Sequence, residues 1–271
     1  MINFNKQFDE KLIKASLSDA KVGLLSTIDD DKYPRISLIS TITANKDNTI
    51  SWGQFSRGIS KENIKKNKKT GFLILNTDKE WWTGKTLYDH EEIKGTTYEF
   101  FNNKPLFRYN SYFNIGAIHI HKLVGVSEQH HISVGKVLIG QIKSSMMKAN
   151  DSDDIKKLPD YGKELANNST ALKFLSYIDG EGYPITVPVL QAKAKSNNVF
   201  TISKGEGFLD DIPDGSKVAL FVANFKLVSI LVQGTWQKHK ASGRLIVDKV
   251  YNSILPLPKY IYPAEKIPKI Y

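Results

Sequence analysis

Four side chains that could grip a phosphate stand within six residues: Ser56, Arg57, Ser60 and Lys61, with Asn63 two positions further on. Hydroxyls donate to phosphate oxygens, a guanidinium meets two of them at once, and the open amides of a helix start add positive potential. Arg57 is one of only four arginines among 38 basic residues. Ser60 precedes a short helical pattern, so a plain capping role stays open for it. Gln54 and Phe55 lead into this stretch. A second candidate region is rich in aromatic residues, and Trp82 with Thr83-Gly84 within it could meet a flat ligand ring. His119 and His121 alternate and therefore share one strand face, and His90 and His130-His131 lie elsewhere. No carboxylate stands at metal-ligand spacing beside them, so no metal site is predicted.

The elements that must position these residues occur twice. Leu25-Ser26-Thr27-Ile28-Asp29, ending in Tyr33-Pro34, returns as Leu175-Ser176-Tyr177-Ile178-Asp179, ending in Tyr183-Pro184. Each copy reads as strand, turn, strand, a further strand, and then a loop. The loop is basic and hydroxyl-rich in the first copy. In the second it carries Glu206, Asp210, Asp211 and Asp214, which would repel a phosphate. One working anion site, in the first half, is the expectation.

An amphipathic helix is expected over Phe4 to Leu17, strands at 71–76 and 116–126, and a helix through Val134 to Met146. In the second half a helix is expected from Arg244 to about Ile254, followed by a proline-punctuated tail. The domain reading is a first unit over 1–148, a linker over 149–168 and a second unit over 169–271. An aromatic insertion at about 77–115 is assigned to the first unit alone, as a lid or as a satellite hydrophobic cluster. Many short strands with frequent turns argue for two barrels.

Composition narrows the function classes. The net charge is +10, but the lysines are spread along the chain and arginine is scarce, which argues against nucleic acid as the partner. No run of about 18 apolar residues predicts a membrane span. The chain has no cysteine, which removes disulfides, thiol catalysis and thiolate metal sites. No basic-then-apolar leader pattern opens the sequence, so a cytoplasmic location is expected.

The order strand, Tyr33-Pro34-Arg35, two strands, Ser56-Arg57, Ser60-Lys61-Glu62-Asn63-Ile64, then Phe72-Leu73-Ile74-Leu75-Asn76 resembles the FMN-binding split-barrel superfamily. That superfamily includes pyridoxamine 5′-phosphate oxidase-like and flavin reductase-like proteins. The resemblance implies a mainly β fold with helices: two tandem split β-barrels, the second degenerate. It implies FMN as cofactor, with Arg57, Ser60 and Lys61 at its phosphate and Ser56 and Asn63 beside them. Gln54 and Phe55 would meet the ribityl chain or ring, and Trp82 the ring. The implied activity is an FMN-dependent oxidoreductase, NAD(P)H-linked or otherwise, acting on a small molecule. A flavin or haem module without turnover is the alternative. Such sites lie where two barrels meet, so either a homodimer or a pseudo-dimer within the chain is expected.

Overall fold

A computed structural model describes residues 2–54, 58–103, 115–149, 155–204, 207–226, 228–239, 242–253 and 258–265. The first half runs β1 (Phe4–Asn5), α1 (Glu10–Leu17), β2 (Lys21–Ile28), β3 (Pro34–Leu38), β4 (Thr43–Ala44), β5 (Thr49–Gln54) and α2 (Ile59–Lys66). It continues with β6 (Lys69–Asn76), β7 (Glu80–Glu92), α3 (Thr96–Asn102), β8 (Ala117–Ser127), β9 (His130–His131) and α4 (Val134–Met146). The second half runs α5 (Asp160–Asn167), β10 (Leu172–Ile178), β11 (Pro184–Pro188), β12 (Lys193–Ala194) and β13 (Val199–Ser203). It ends with β14 (Lys217–Ala223), β15 (Ser229–His239), β16 (Ser242–Asn252) and β17 (Lys259–Tyr262).

The two sheets have one topology. The first is ordered β3-β2-β6-β7-β8-β5-β4 and the second β11-β10-β14-β15-β16-β13-β12, all antiparallel. These are two tandem split barrels with flanking helices. The irregularities repeat as well. The ladder slips between Lys85 and Thr86 against β8, and between Gln233 and Gly234 against β16, at matching positions. Both hairpin turns hold one residue in the left-handed region, Lys32 at φ 65° and Gly182 at φ 81°. Only the second copy uses the residue type that adopts this conformation without steric cost.

The repeated turns lock the halves together. β3 packs against β10, β14 and β15, while β11 packs against β2, β6 and β7. Lys85, buried in the first barrel, pairs with Asp179 at 2.5 Å and with Glu181 at 3.2 Å in the turn of the second. At the matching place Gln233 donates to Asp29 at 2.9 Å in the turn of the first, and to the Pro34 carbonyl at 3.0 Å. Tyr33 donates to Asp248 at 3.0 Å, and Asp31 pairs with Lys249. The backbone is tight here: a Cβ on Gly71 would stand 1.9 Å from the Pro184 carbonyl oxygen.

Strand alternation sends adjacent residues to different cores. Leu25, Phe72, Ile74 and Trp82 fill the first barrel, whereas Leu24, Leu73, Leu75 and Trp81 join the core continuous with the second half. Both faces of β6 are therefore covered, which is why it reads as an unbroken apolar run.

Four expectations are corrected. Phe4–Leu17 is not one helix: β1 comes first, and α1 begins where the Asp9 carboxylate accepts from the Leu12 amide at 2.6 Å. Residues 149–168 contain α5, the counterpart of α1, so that range is not simply a linker. The stretch from Arg244 is strand β16, not a helix. Its Leu245 and Val247 face inward, and the unpaired bulge residue Asp248 then shifts the inward set to Val250 and Tyr251. The aromatic insertion begins after β7, because β7 is a barrel strand matched by β15. The added segment holds α3, and Phe101 with Tyr98 packs there against Ile115, Ile118 and Ile120 as a satellite cluster.

Candidate functional site

The predicted phosphate loop connects β5 to α2. Phe55, Ser56 and Arg57 lie outside the described residues. α2 follows with Gly58 at its N-cap, a residue with no side chain to cap the helix. Ser60 is 8% exposed, and its Oγ shares a 2.6 Å hydrogen bond with Ser37 Oγ on β3. Asn63 is buried and donates to Thr27 Oγ1 at 3.1 Å. These two side chains therefore fasten α2 onto β2 and β3. Lys61 sits half-buried in the first helical turn. Gln54, at the end of β5, shares a 3.0 Å hydrogen bond with His119 Nε2.

Arg35 was not among the predicted site residues, yet the structure brings it to this corner. Residues 35 and 37 share a face of β3, so Arg35 projects beside the Ser37–Ser60 link that fixes the start of α2. Its guanidinium is 4% exposed, lies 3.9 Å from the Tyr251 ring centroid and donates to Tyr260 Oη at 3.3 Å. Among the described residues no carboxylate pairs with it. A buried cation held by rings rather than by an acid keeps its charge for another anion. Tyr260, Ile59 and Asn63 line a seam cleft of about 350 Å³, and Arg35 adjoins it through its bond to Tyr260. Its lining carries five acids: Asp29, Asp30 and Asp31, which meet Gln233, Lys66 and Lys249 respectively, and Glu62 and Glu265.

A second cleft of about 320 Å³ lies on the other side of the seam, between α4 of the first half and β11–β13 of the second. Trp81 lines it, stacked on His130 with 4.5 Å between centroids and met edge-on by Phe208 at 5.2 Å. Trp82, the predicted ring contact, faces the opposite way. It is fully buried in the first barrel, with Nε1 donating to Asp9 at 3.3 Å, so it is corrected to a core residue. The charged residues lining this cleft are Lys136, Lys143 and Lys204. Asp210 pairs with Lys204, and Asp214 accepts from the Lys238 amide at 2.8 Å. Glu206 lies outside the described residues.

His119 and His121 do share a face, and it points into the first barrel. His121 accepts from Trp52 Nε1 at 2.9 Å and lies 2.9 Å from Thr70 Oγ1, while His119 stacks on Trp52 at 4.2 Å. Burial, and then the charges of Lys61 and Lys65, push the His119 pKa down to about 4. Burial, and then His119, push His121 to about 3. Both rings are neutral near pH 7, so neither offers an imidazolium proton there. Among the described residues no three histidine or acidic side chains gather as a metal site.

No family model and no curated protein sequence matches the chain. Solved structures do. HupZ of Group A Streptococcus matches at 12% identity over 47% of this chain and 100% of that one, with a TM-score of 0.38. An FMN-binding protein of Syntrophomonas wolfei matches at 20% identity over 46% and 86%, with a TM-score of 0.39. A Clostridium acetobutylicum protein related to general stress protein 26, of the pyridoxinephosphate oxidase family, matches at 11% identity over 48% and 99%, with a TM-score of 0.35. Each of these matches spans about half of this chain.

Proposed function

We propose that the protein is a flavoprotein that binds FMN at the first-half corner where β3 and the β5–α2 loop meet Tyr260, and uses it for redox chemistry on a small molecule. The observation that carries this reading is Arg35, a buried cation that pairs with no carboxylate among the described residues and shares a face of β3 with Ser37, whose hydroxyl is bonded to Ser60 in the first turn of α2. The phosphate arm would end at Arg57, Ser56 and Lys61, with the helix amides behind them. Ser60 and Asn63 hold that helix in place. Tyr260 would form the far wall, so the second half supplies what a second subunit would otherwise contribute. When bound, the isoalloxazine supplies the electron or hydride transfer, and the chain supplies anchoring, orientation and exclusion of water. His119, neutral and hydrogen-bonded to Gln54, positions that glutamine rather than donating a proton at neutral pH.

Incubation with FMN followed by gel filtration tests the reading. Flavin absorbance should co-elute with the protein, and Arg57→Ala should lower retention far more than Lys204→Ala. A colourless protein, or equal effects of the two substitutions, overturns it. Anaerobic addition of NADH or NADPH then separates an oxidoreductase from a carrier, because a carrier need not be reduced at a useful rate.

A further inference from the structure

α4 is built inside out. Its buried residues are Gly140, Gln141 and Ser144, none of them a large apolar side chain. Val134, Leu138, Ile139, Ile142 and Met146 stand on its other side, each 50–80% exposed. Positions 134, 138, 142 and 146 are four apart, so they form one ridge along the whole helix, and Ile139 widens it. An amphipathic helix on a folded domain turns such a face to the core, as α1 does with Leu12 and α5 with Leu165 and Ala166. A contiguous apolar ridge turned outward marks a contact surface. We propose that α4 lies flat in the interface of an anionic lipid bilayer, with its ridge at the acyl boundary and without spanning the membrane.

Hydrogen bonds hold α4 while leaving its apolar side outward. Gln141 donates to the Ser169 and Leu190 carbonyls at 3.2 and 3.1 Å. Ser203 Oγ donates to the Gly140 carbonyl at 3.0 Å, and the Ser203 amide to Ser144 Oγ at 2.9 Å. Thr201 donates to the Ser144 carbonyl at 2.8 Å. Gly140 permits this close approach, since a Cβ there would stand 2.8 Å from Gln191 Cβ. The ridge is therefore ordered before any contact, which lowers the entropic cost of binding.

Size and charge select the occupant. α4 has 13 residues, a length of about 20 Å. Five side chains on one helix fall short of the roughly 20–30 residues a side that a stable protein pair uses. The net charge of +10 also sets one copy of the chain against another, while it draws the chain toward anionic headgroups. That sum already counts Asp151, Asp153 and Asp154, which follow α4 in the sequence. α4 itself contains no acidic residue to oppose such a surface. A bilayer needs no matching groove, only an apolar face that sinks about 5–10 Å into the headgroup boundary.

The test floats the full chain with vesicles of phosphatidylcholine alone or of phosphatidylcholine mixed with phosphatidylglycerol. Partitioning into the mixed vesicles should be about tenfold or more stronger than into the neutral ones, and should weaken as salt rises. L138Q/I142Q trims two exposed side chains and leaves the buried face of α4 alone. It should lower partitioning about tenfold or more, with an unchanged circular dichroism spectrum. Ile93→Gln should change nothing, because Ile93 is exposed at the end of β7 opposite to Glu80, which pairs with His131 just before α4. The chain has no cysteine, so Ile142→Cys carrying an NBD dye reports depth. Its emission should shift to the blue with mixed vesicles, and that of the same dye on Ile93→Cys should not. No binding, equal binding to both vesicles, an undiminished L138Q/I142Q or binding without the blue shift would each overturn the proposal. So would a homodimer that L138Q/I142Q converts to monomers, since the ridge would then join two copies. None of these readouts involves FMN, so this proposal and the flavin reading fail separately.

Discussion

Replacing Lys85 with methionine keeps an apolar stem of similar length and removes the charge that Asp179 and Glu181 share across the seam and that lies over the Phe4 ring. The Lys85 and Asp179 side chains are 9% and 15% exposed, so the substitution leaves a nearly buried carboxylate without its cation. Breaking a buried pair in this way costs about 3–5 kcal/mol, and the residual solvation of Asp179 favours the lower end. For a chain of this size about 3 kcal/mol corresponds to a fall in Tm of roughly 6–12 °C. The other side of the seam supplies the control. Gln233 meets Asp29 with an amide in the same position, so Lys85→Gln rebuilds an interaction that the fold already uses. It should cost only about 1 kcal/mol, the difference between a charge-assisted and a neutral donor. Lys249→Met, which breaks an ion pair whose aspartate is 66% exposed, should cost less than about 1 kcal/mol. Urea unfolding of the three variants by circular dichroism reads all of these values. If Lys85→Met costs no more than Lys249→Met, or if glutamine at 85 is as damaging as methionine, the seam is not held by this pair.

Lys32→Gly should stabilise the protein by about 0.5–1 kcal/mol, because it relieves a left-handed lysine where the second copy already has Gly182; a lower urea midpoint would contradict this. His119 and His121 titrate below their unfolded value of about 6.5, so their contribution is complete above that pH and is lost as pH falls toward 4 and then 3. Over that window each removes up to about 1.4 kcal/mol per pH unit, so His121→Asn should flatten the acid limb of a stability–pH profile relative to the parent. An unchanged slope would count against burial of neutral rings. Trp82→Phe should cost about 1–3 kcal/mol in stability and leave FMN retention unchanged; coupled losses would return Trp82 to the cofactor.

The repeat itself was legible, since Leu25–Pro34 and Leu175–Pro184 carry the same alternation and the same turn. Its role in the seam was not, because Asp29 and Asp179 look like ordinary turn formers until their partners, some 200 and 94 residues away, are in view. The misreading of β16 has a definite cause. A single bulge residue, Asp248, converts a two-residue alternation into a spacing of three and then one, which imitates one face of a helix. Trp82 is a core residue, while its neighbour Trp81 lines a cleft. In a strand Trp81 and Trp82 face opposite ways, and composition alone does not choose between them. Arg35 and the lysines of α4 left a signal, a cation sharing a strand face with Ser37 and two lysines seven apart on a helix. Nothing local says that Arg35 is buried against two tyrosines of the other half or that the lysines line a cleft.

The shared topology has a consequence for how such a molecule can change. When two identical subunits form a pair, every substitution appears on both sides of the twofold axis, and both sites accept or reject it together. Joining the copies in one chain removes that constraint and keeps the partners at an effective concentration on the order of millimolar. One side can then add a helix such as α4 after its last barrel strands while the other adds β17. One turn can adopt glycine while its twin keeps lysine, and one side of the seam can keep a buried arginine while the other gathers three lysines around a cleft. The interlocked turns are what make this freedom safe: they bind the halves to each other so firmly that their working surfaces are free to drift apart.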